Sequence, residues 1–388
     1  MRWYRHDEPH GRFIGSTGGM DIYAETYKES SRREIESTYT KTDQEFIFSY
    51  GPASGMLESS EIDLYTPGEI INHVDVGTDV RKRVIRIAQS DPLDALLKIE
   101  RINGFHGASH AICFISAIED AMDIVPDGMM QYNRIVQLEC ERIRSNLLVI
   151  ERMAQAAGFG VPVNQLAYLR EKVSRIIGRR GGHRYFFGVN SINSSCFNTD
   201  VIGKQMGAIA EEFQDIFKGL LESKLFINRL QDNGVNNDMS STGPAARASG
   251  MLHDARIDSR TLPYEDTEYS IVTNSEKDAY GRFLVRAEEI PVSSSIIKQL
   301  EKRCTNLRKS EFSLKDGEGM ARVESPSGDL FYSVKILNGR IESLGYLPPS
   351  IRNIQSFRES MKGNIFTDFH FNWESYGIWT AEAGVVIQ

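Results

Sequence analysis

Three stretches of this sequence carry residue types and spacings that could do chemistry. His106 and His110 are four residues apart at a helix start. On a helix they would share one face and could chelate a metal ion. The plainer alternative is a polar first turn near a subunit interface. Gly178-Arg179-Arg180-Gly181-Gly182-His183-Arg184 is basic and glycine-rich. Backbone N–H groups in such a loop can cradle an anion. It lacks the lysine and serine or threonine of a P-loop, so a helix C-cap followed by a turn is the simpler expectation. The third stretch is Thr242-Gly243-Pro244-Ala245-Ala246-Arg247-Ala248-Ser249-Gly250, with His253-Asp254-Ala255-Arg256 close behind. A guanidinium among small residues with an aspartate nearby suits a buried ion-pair network, which can be structural or can tune a redox or proton site.

Other chemistries lack their motifs. There is no G-x-S-x-G nucleophile elbow and no G-x-G-x-x-G after a strand. Cys113, Cys140, Cys196 and Cys304 contain no C-x-x-C pair, which speaks against a zinc ribbon or an iron–sulfur cluster held by this chain alone. Their spacing is not a disulfide framework, so a reducing compartment is the default. A net charge of −8 gives no electrostatic reason to expect nucleic acid. The first residues carry no apolar signal-peptide core. No stretch approaches the ~18–20 apolar residues that span a bilayer, so a partner would have to hold the protein at a membrane.

The elements that must position these residues are mostly helical. With 388 residues, 40% of them hydrophobic, the chain can bury a sizeable core. Residues 1–44 are polar and weakly patterned. The run Lys28–Glu34 reads as a solvated arm or surface helix, or as an extension that packs on a neighbour. Phe46–Phe48, Ile62–Tyr65 and Ile70–Val74 are short apolar runs separated by Gly51-Pro52 and Pro67-Gly68, the pattern of a small antiparallel β element. Between Gly128 and Gly158, the positions Val136, Cys140, Ile143, Leu147, Ile150 and Ala154 draw one continuous helical stripe. Helices are also expected at 164–177, 201–230 and 278–304, a long ordered loop at 233–267, and short strands near Leu330–Val334. Several striped helices must bury one another, so the fold class is mainly α with a small N-terminal antiparallel β element, built on a helical bundle.

At these residues the chain resembles a known superfamily. Its members are the large subunits of membrane-bound energy-converting NiFe hydrogenases and the quinone-site large subunit of respiratory complex I, the NADH-quinone oxidoreductase. The resemblance runs from about residue 46 to 388, leaving 1–44 as an N-terminal extension. Gly51-Pro52 resembles the start of G-P-Q-H-P. Glu100-Arg101-Ile102-Asn103-Gly104-Phe105-His106 through His110 resembles E-R-I-C-G-I-C-S-x-x-H. Glu139 to Leu148 resembles the family's long helix. Thr242-Gly243-Pro244 with Arg247-Ala248-Ser249-Gly250 resembles T-G-P-x-L-R-A-S-G. Asp278–Arg286 resembles D-A-Y-D-R-Y-L-V-R, and Pro349-Ser350 with Asn353-Ile354-Gln355 resembles P-S-F-x-N-L-Q.

What the resemblance implies is altered by its departures. The four positions where hydrogenases place metal-binding cysteines hold Asn103, His106, Trp379 and Glu382, so no Ni–Fe centre is expected. The quinone-site histidine has no counterpart between Gly51 and Glu61, and its tyrosine partner falls near Gly104. Arg101, Asn103, His106, His110, Arg247, Asp254 and Arg256 lie on segments that line the family's active-site cavity. The resemblance implies a component of a membrane-associated, ion-translocating oxidoreductase, peripheral on the cytoplasmic side. Its partners would be the B-like small protein of complex I, which carries a 4Fe–4S cluster, a C-like protein and antiporter-like membrane proteins. The chain itself would hold no cofactor. The remodelled cavity would serve a quinone-like or other acceptor. Alternatively the chain is a catalytically inactive scaffold. A repurposed metal site of His106, His110 and Glu382 is a third possibility.

Overall fold

A computed structural model describes residues 3–6, 11–17, 20–24, 39–51, 60–78, 80, 82–238, 240–304 and 315–388. The charged run 28–34 and residues 52–59, where Pro52 and most of the histidine-free stretch fall, lie outside the described residues.

The N-terminal part is more ordered than its polar sequence suggests. Strands β1 (Trp3–His6), β2 (Arg12–Thr17) and β3 (Met20–Ala24) form an antiparallel sheet in the order β1-β3-β2. Ile14 and Ile22 are buried from it against Phe331. The expected second β element forms as β4 (Phe46–Tyr50), β5 (Glu61–Thr66) and β6 (His73–Gly77), an antiparallel meander. Alternation places Ile62 and Leu64 on its buried face, while Phe46, Ile47 and Phe48 stay exposed on the edge strand. Ile70 makes only an isolated bridge, to Ile365. Strand β7 (Arg83–Ile85) follows.

Helices then dominate. α1 (Pro92–Ile99) starts at Asp91, whose carboxylate accepts the Leu93 N–H. After a 3-10 turn at Gly104–His106 comes α2 (Gly107–Ala121), buried on every side except Asp120. α3 (Gly128–Ala156) carries the expected stripe, from Val136 to Ala154, fully buried. α4 (Gly160–Gly181) starts four residues earlier than expected and ends at left-handed Gly182, so the basic glycine-rich stretch is a helix C-cap. Short strands β8 (Asn190–Ser191) and β9 (Ser194–Ser195) lead to α5 (Ile202–Glu222) and α6 (Lys224–Leu230). The sequence pattern suggests one helix here. The break is at Ser223, whose hydroxyl caps α6 by accepting the Phe226 N–H. The expected loop at 233–267 contains the single turns α7 (Pro244–Arg247) and α8 (Ala255–Asp258).

α9 (Ala279–Leu300) is capped by Asp278 and packs against α3 and α5, while α4 covers the other side of α3. The C-terminal β structure is larger than the short strands expected. β10 (Gly317–Ser325), β11 (Gly328–Leu337) and β12 (Arg340–Leu347) form an antiparallel meander on which α2 lies. The β2–β3 hairpin covers this meander at β11 and β12. The chain closes with α10 (Pro349–Met361), α11 (Phe369–Tyr376), α12 (Thr380–Ala383) and β13 (Val385–Ile387). The fold is therefore mainly α with several small sheets. Among the described residues, no helix is long and apolar enough to cross a membrane.

Candidate functional site

Two segments far apart in sequence are clamped together by the C-terminal strand. β13 pairs in parallel with β7, register Val385 to Arg83. The Arg83 guanidinium donates to the carbonyls of Arg101 at 3.2 Å and Ala381 at 3.1 Å, and to that of Ile102. This fixes the 103–110 segment against α12, so Asn103, His106, Trp379 and Glu382 come together.

Glu382 is the hub where they meet. Its Oε1 accepts from Asn103 Nδ2 at 2.7 Å and contacts His106 Nδ1 at 2.6 Å. His110 Nε2 lies 3.5 Å from the same oxygen, and Oε2 accepts from Ser350 Oγ at 2.8 Å. His106, His110 and Glu382 are all 0% exposed. Burial pushes the Glu382 carboxyl up, but the two imidazoles, His106 above all, hold it well below the ordinary carboxylate range. His110 Nδ1 hydrogen-bonds the Tyr332 hydroxyl at 2.9 Å. Burial raises the Tyr332 hydroxyl well above its usual value, with Tyr346 and Glu382 adding to it. The Nε2 atoms of His106 and His110 and the Trp379 indole nitrogen have no hydrogen-bond partner among the described residues.

Asn103, His106, Trp379 and Glu382 supply an amide, an imidazole, an indole and a carboxylate, whereas a Ni–Fe centre requires thiolates, and an indole cannot ligate a metal. The Trp379 ring stacks on Phe105 at 4.9 Å and meets the edge of His106 at 5.6 Å. These residues do not fit the Ni–Fe group. Nor, among the described residues, is any group of three or more His, Cys, Asp or Glu side chains arranged to hold a metal ion. His106, His110 and Glu382 do come together, but as a hydrogen-bonded cluster around one carboxylate.

The arginine loop builds a second buried assembly. Arg247 bridges Glu324 and Glu289, each at 2.7 Å, with Asp254 at 3.3 Å. Arg256 pairs with Asp254 at 2.6 Å and Glu289 at 3.0 Å. Glu139 joins through Arg142 at 3.2 Å and Arg256 at 3.5 Å. Desolvation works against every charge here. For Glu139, Glu289 and Asp254 the surrounding guanidinium groups outweigh it and lower the carboxyls. Glu324 is the exception: burial and the neighbouring Asp254 leave it raised. Arg247 and Arg256 are thus spent on an internal network, and the cavity walls expected of Arg247, Asp254 and Arg256 are instead a closed ion-pair core. Arg101 also departs from expectation. It is half exposed, its guanidinium bonded to Glu100 and to the Leu97 carbonyl and lying 4.8 Å over the Phe187 ring.

Sequence reasoning missed several partners. Ser350 and Tyr332 complete the histidine cluster, and Glu289, Glu324 and Glu139 complete the arginine network. Ser350 lies inside the Pro349-Ser350 signature and Glu139 inside the long-helix signature, so a structural role for each was within reach. Tyr332 and Glu324 sit on strands whose pairing no local pattern announces.

Residues 167–311 match the family described as respiratory-chain NADH dehydrogenase, 49 Kd subunit. The chain is similar to the membrane-bound hydrogenase subunit alpha of Pyrococcus furiosus, 25% identical over 354 residues, with 82% of each chain covered. It is similar to the NADH-ubiquinone oxidoreductase 49 kDa subunit of Reclinomonas americana, 24% identical over 383 residues, covering 86% of this chain and 95% of that protein. Among solved structures, its fold matches a chain of the membrane-bound sulfane sulfur reductase, an archaeal respiratory membrane complex. The TM-score is 0.79 at 20% identity, over 89% of this chain and 99% of that one.

Proposed function

We propose that this chain is a divergent member, without the Ni–Fe cysteines, of the superfamily that joins the 49 kDa large subunit of complex I to the large subunits of membrane-bound energy-converting hydrogenases, and that it is the peripheral large subunit of a membrane-attached oxidoreductase complex. It would dock a B-like small protein carrying a 4Fe–4S cluster, together with a C-like protein and antiporter-like membrane proteins, on the cytoplasmic face. It would bind no Ni–Fe centre of its own.

One observation carries the reading: a single buried carboxylate, Glu382, gathers His106, His110, Asn103 and Ser350 at the altered ligand positions. Such a group holds a proton instead of a metal. The contact between His106 Nδ1 and Glu382 Oε1 gives a proton a place between imidazole and carboxylate, with Tyr332 tied in through His110. The acceptor would be one that takes up protons with its electrons, such as a quinone-like molecule. The arginine network would hold the surrounding fold rigid.

A second reading is favoured by the complete burial of the cluster: the chain is a catalytically inactive scaffold. Glu382→Gln in the purified complex separates the two. It nearly preserves shape but removes the charge that holds the proton. Redox turnover is expected to fall by about a hundredfold or more, within the range for lost acid–base assistance, while the make-up of the complex stays unchanged. His110→Gln serves as the second variant. Full turnover in both, with normal assembly, would establish the scaffold reading instead.

A further inference from the structure

Toward the C-terminal end of α2, a cleft of about 480 Å³ opens between that helix, the turn into α3 and the edge of β10. This volume falls within the ~300–1,000 Å³ range of small-molecule sites. Nothing in the histidine cluster or the arginine network uses it.

Its floor is polar and incompletely satisfied. Ser116 is 8% exposed, yet its hydroxyl has no hydrogen-bond partner among the described residues. Arg134 is buried, with two nitrogens on Glu119 at 2.6 Å each, and its Nε likewise has no partner among the described residues. Buried hydroxyls and N–H groups are ordinarily paired, by protein, water or ligand. Both residues line the cleft.

The charges around the opening select the kind of ligand. Glu119 is ion-paired with Arg134 and accepts the Asn193 N–H, while exposed Asp120 accepts the Met320 N–H at 2.8 Å. Arg260 lines the same cleft, is exposed, and has no hydrogen-bond or ion-pair partner among the described residues. A free guanidinium is a fork suited to carboxylate or phosphate oxygens. The opposite wall is apolar, built by Ile124, Val125, Pro126 and Met320, with Val125 86% exposed.

We propose that this cleft binds a small organic anion with an apolar body. Its oxyanion sits on Arg260 and its apolar body lies against Val125 and Pro126. The site is independent of the oxidoreductase reading.

The test is titration of the full chain, purified with whatever subunits it retains, with benzoate, phenyl phosphate and the neutral isostere benzamide. Calorimetry or ligand-observed NMR reads the binding. The proposal expects one saturable site for at least one of the anions, and the arms tell carboxylate from phosphate. Arg260→Ala should weaken binding about tenfold, the worth of one charged hydrogen bond, and Arg260→Lys should restore part of it. Because Arg260 is exposed, its replacement should leave the melting temperature unchanged. The proposal is overturned if benzamide binds as tightly as both anions, if Arg260→Ala binds as the parent does, or if no probe saturates.

Discussion

His106 Nδ1 lies 2.6 Å from Oε1 of Glu382, a residue 276 positions later, and both side chains are sealed from solvent. These are two of the positions that the sequence resemblance aligns with metal-binding cysteines. Here they exchange one hydrogen bond. The two segments meet around a carboxylate and an imidazole, the contact on which the proposed proton-holding role rests.

Glu382 accepts from three donors, so its removal strands all of them. Glu382→Ala should cost about 3–5 kcal/mol, the range for breaking a buried charged pair. Glu382→Gln should cost about 1–3 kcal/mol, because an amide keeps one acceptor but turns an NH₂ toward existing donors. Urea denaturation measures both. An alanine variant as stable as the parent would mean the cluster is not the buried, charge-paired hub described.

The acid side of the stability curve should carry the same signature. The Glu382 carboxyl is lowered in the folded chain, so its contribution is complete above the unfolded carboxylate value of ~4.3. It is lost as the pH falls through the lowered folded value. Unfolding free energy should therefore decline as the pH drops below about 5, and Glu382→Gln should flatten that decline. Glu374 works in the opposite sense: burial raises its carboxyl against the pull of Arg152, so its contribution is largest in acid and fades as the pH rises through the raised value. Denaturation midpoints measured stepwise from about pH 3 to 7 decide it. Parallel curves for parent and Glu382→Gln would contradict the assignment.

Arg247 ties Glu289 and Glu324 together, each at 2.7 Å. Arg247→Ala should destabilise by about 3–5 kcal/mol, since it leaves two buried carboxylates short of a partner. Glu324 is already raised toward its neutral form, so Glu324→Gln alone should cost less than the arginine change. Combined, the two should cost less than their sum, with a coupling of about 0.5–3 kcal/mol. Strict additivity would mean that the pair does not interact.

Gly243 sits at φ +65°, and a Cβ there would lie 2.4 Å from the Ser327 carbonyl oxygen in the β10–β11 turn. Gly158 has a similar φ of +72°, but nothing lies within 4 Å of its would-be Cβ. Gly158→Ala should therefore cost only the conformational strain, about 1–2 kcal/mol. Gly243→Ala adds a clash with backbone and should cost clearly more. Thermal melts of the two variants should fall in that order, and the reverse order would overturn the account of the arginine loop's backbone.

Much of the scaffold is legible because it is written locally. The stripe from Val136 to Ala154 announces α3, and alternation in Ile62-Asp63-Leu64-Tyr65 announces β5. His106 and His110 announce themselves through spacing, while Glu382 comes only through the C-terminal resemblance. What stays hidden depends on non-local pairing. Strands β1–β3 are short, and β2 and β3 are stabilised where Ile14 and Ile22 meet Phe331, more than 300 residues away. The break at Ser223 is a side-chain cap within a continuous apolar stripe. Arg101 misleads because its motif neighbours turn inward while its own side chain follows α1 outward to Phe187. Arg247 and Arg256 read as an ion-pair network from sequence and form one, but their carboxylate partners lie on α3, α9 and β10, which no window of the sequence joins.

The central claim is that His106 and Glu382 have exchanged metal ligation for a hydrogen-bonded proton site. Elemental analysis of the purified complex tests it most directly. The account predicts iron, carried by a partner protein, and no nickel, with iron content unchanged by Glu382→Gln. Stoichiometric nickel that disappears in the Glu382→Gln or His106→Gln complex would contradict it.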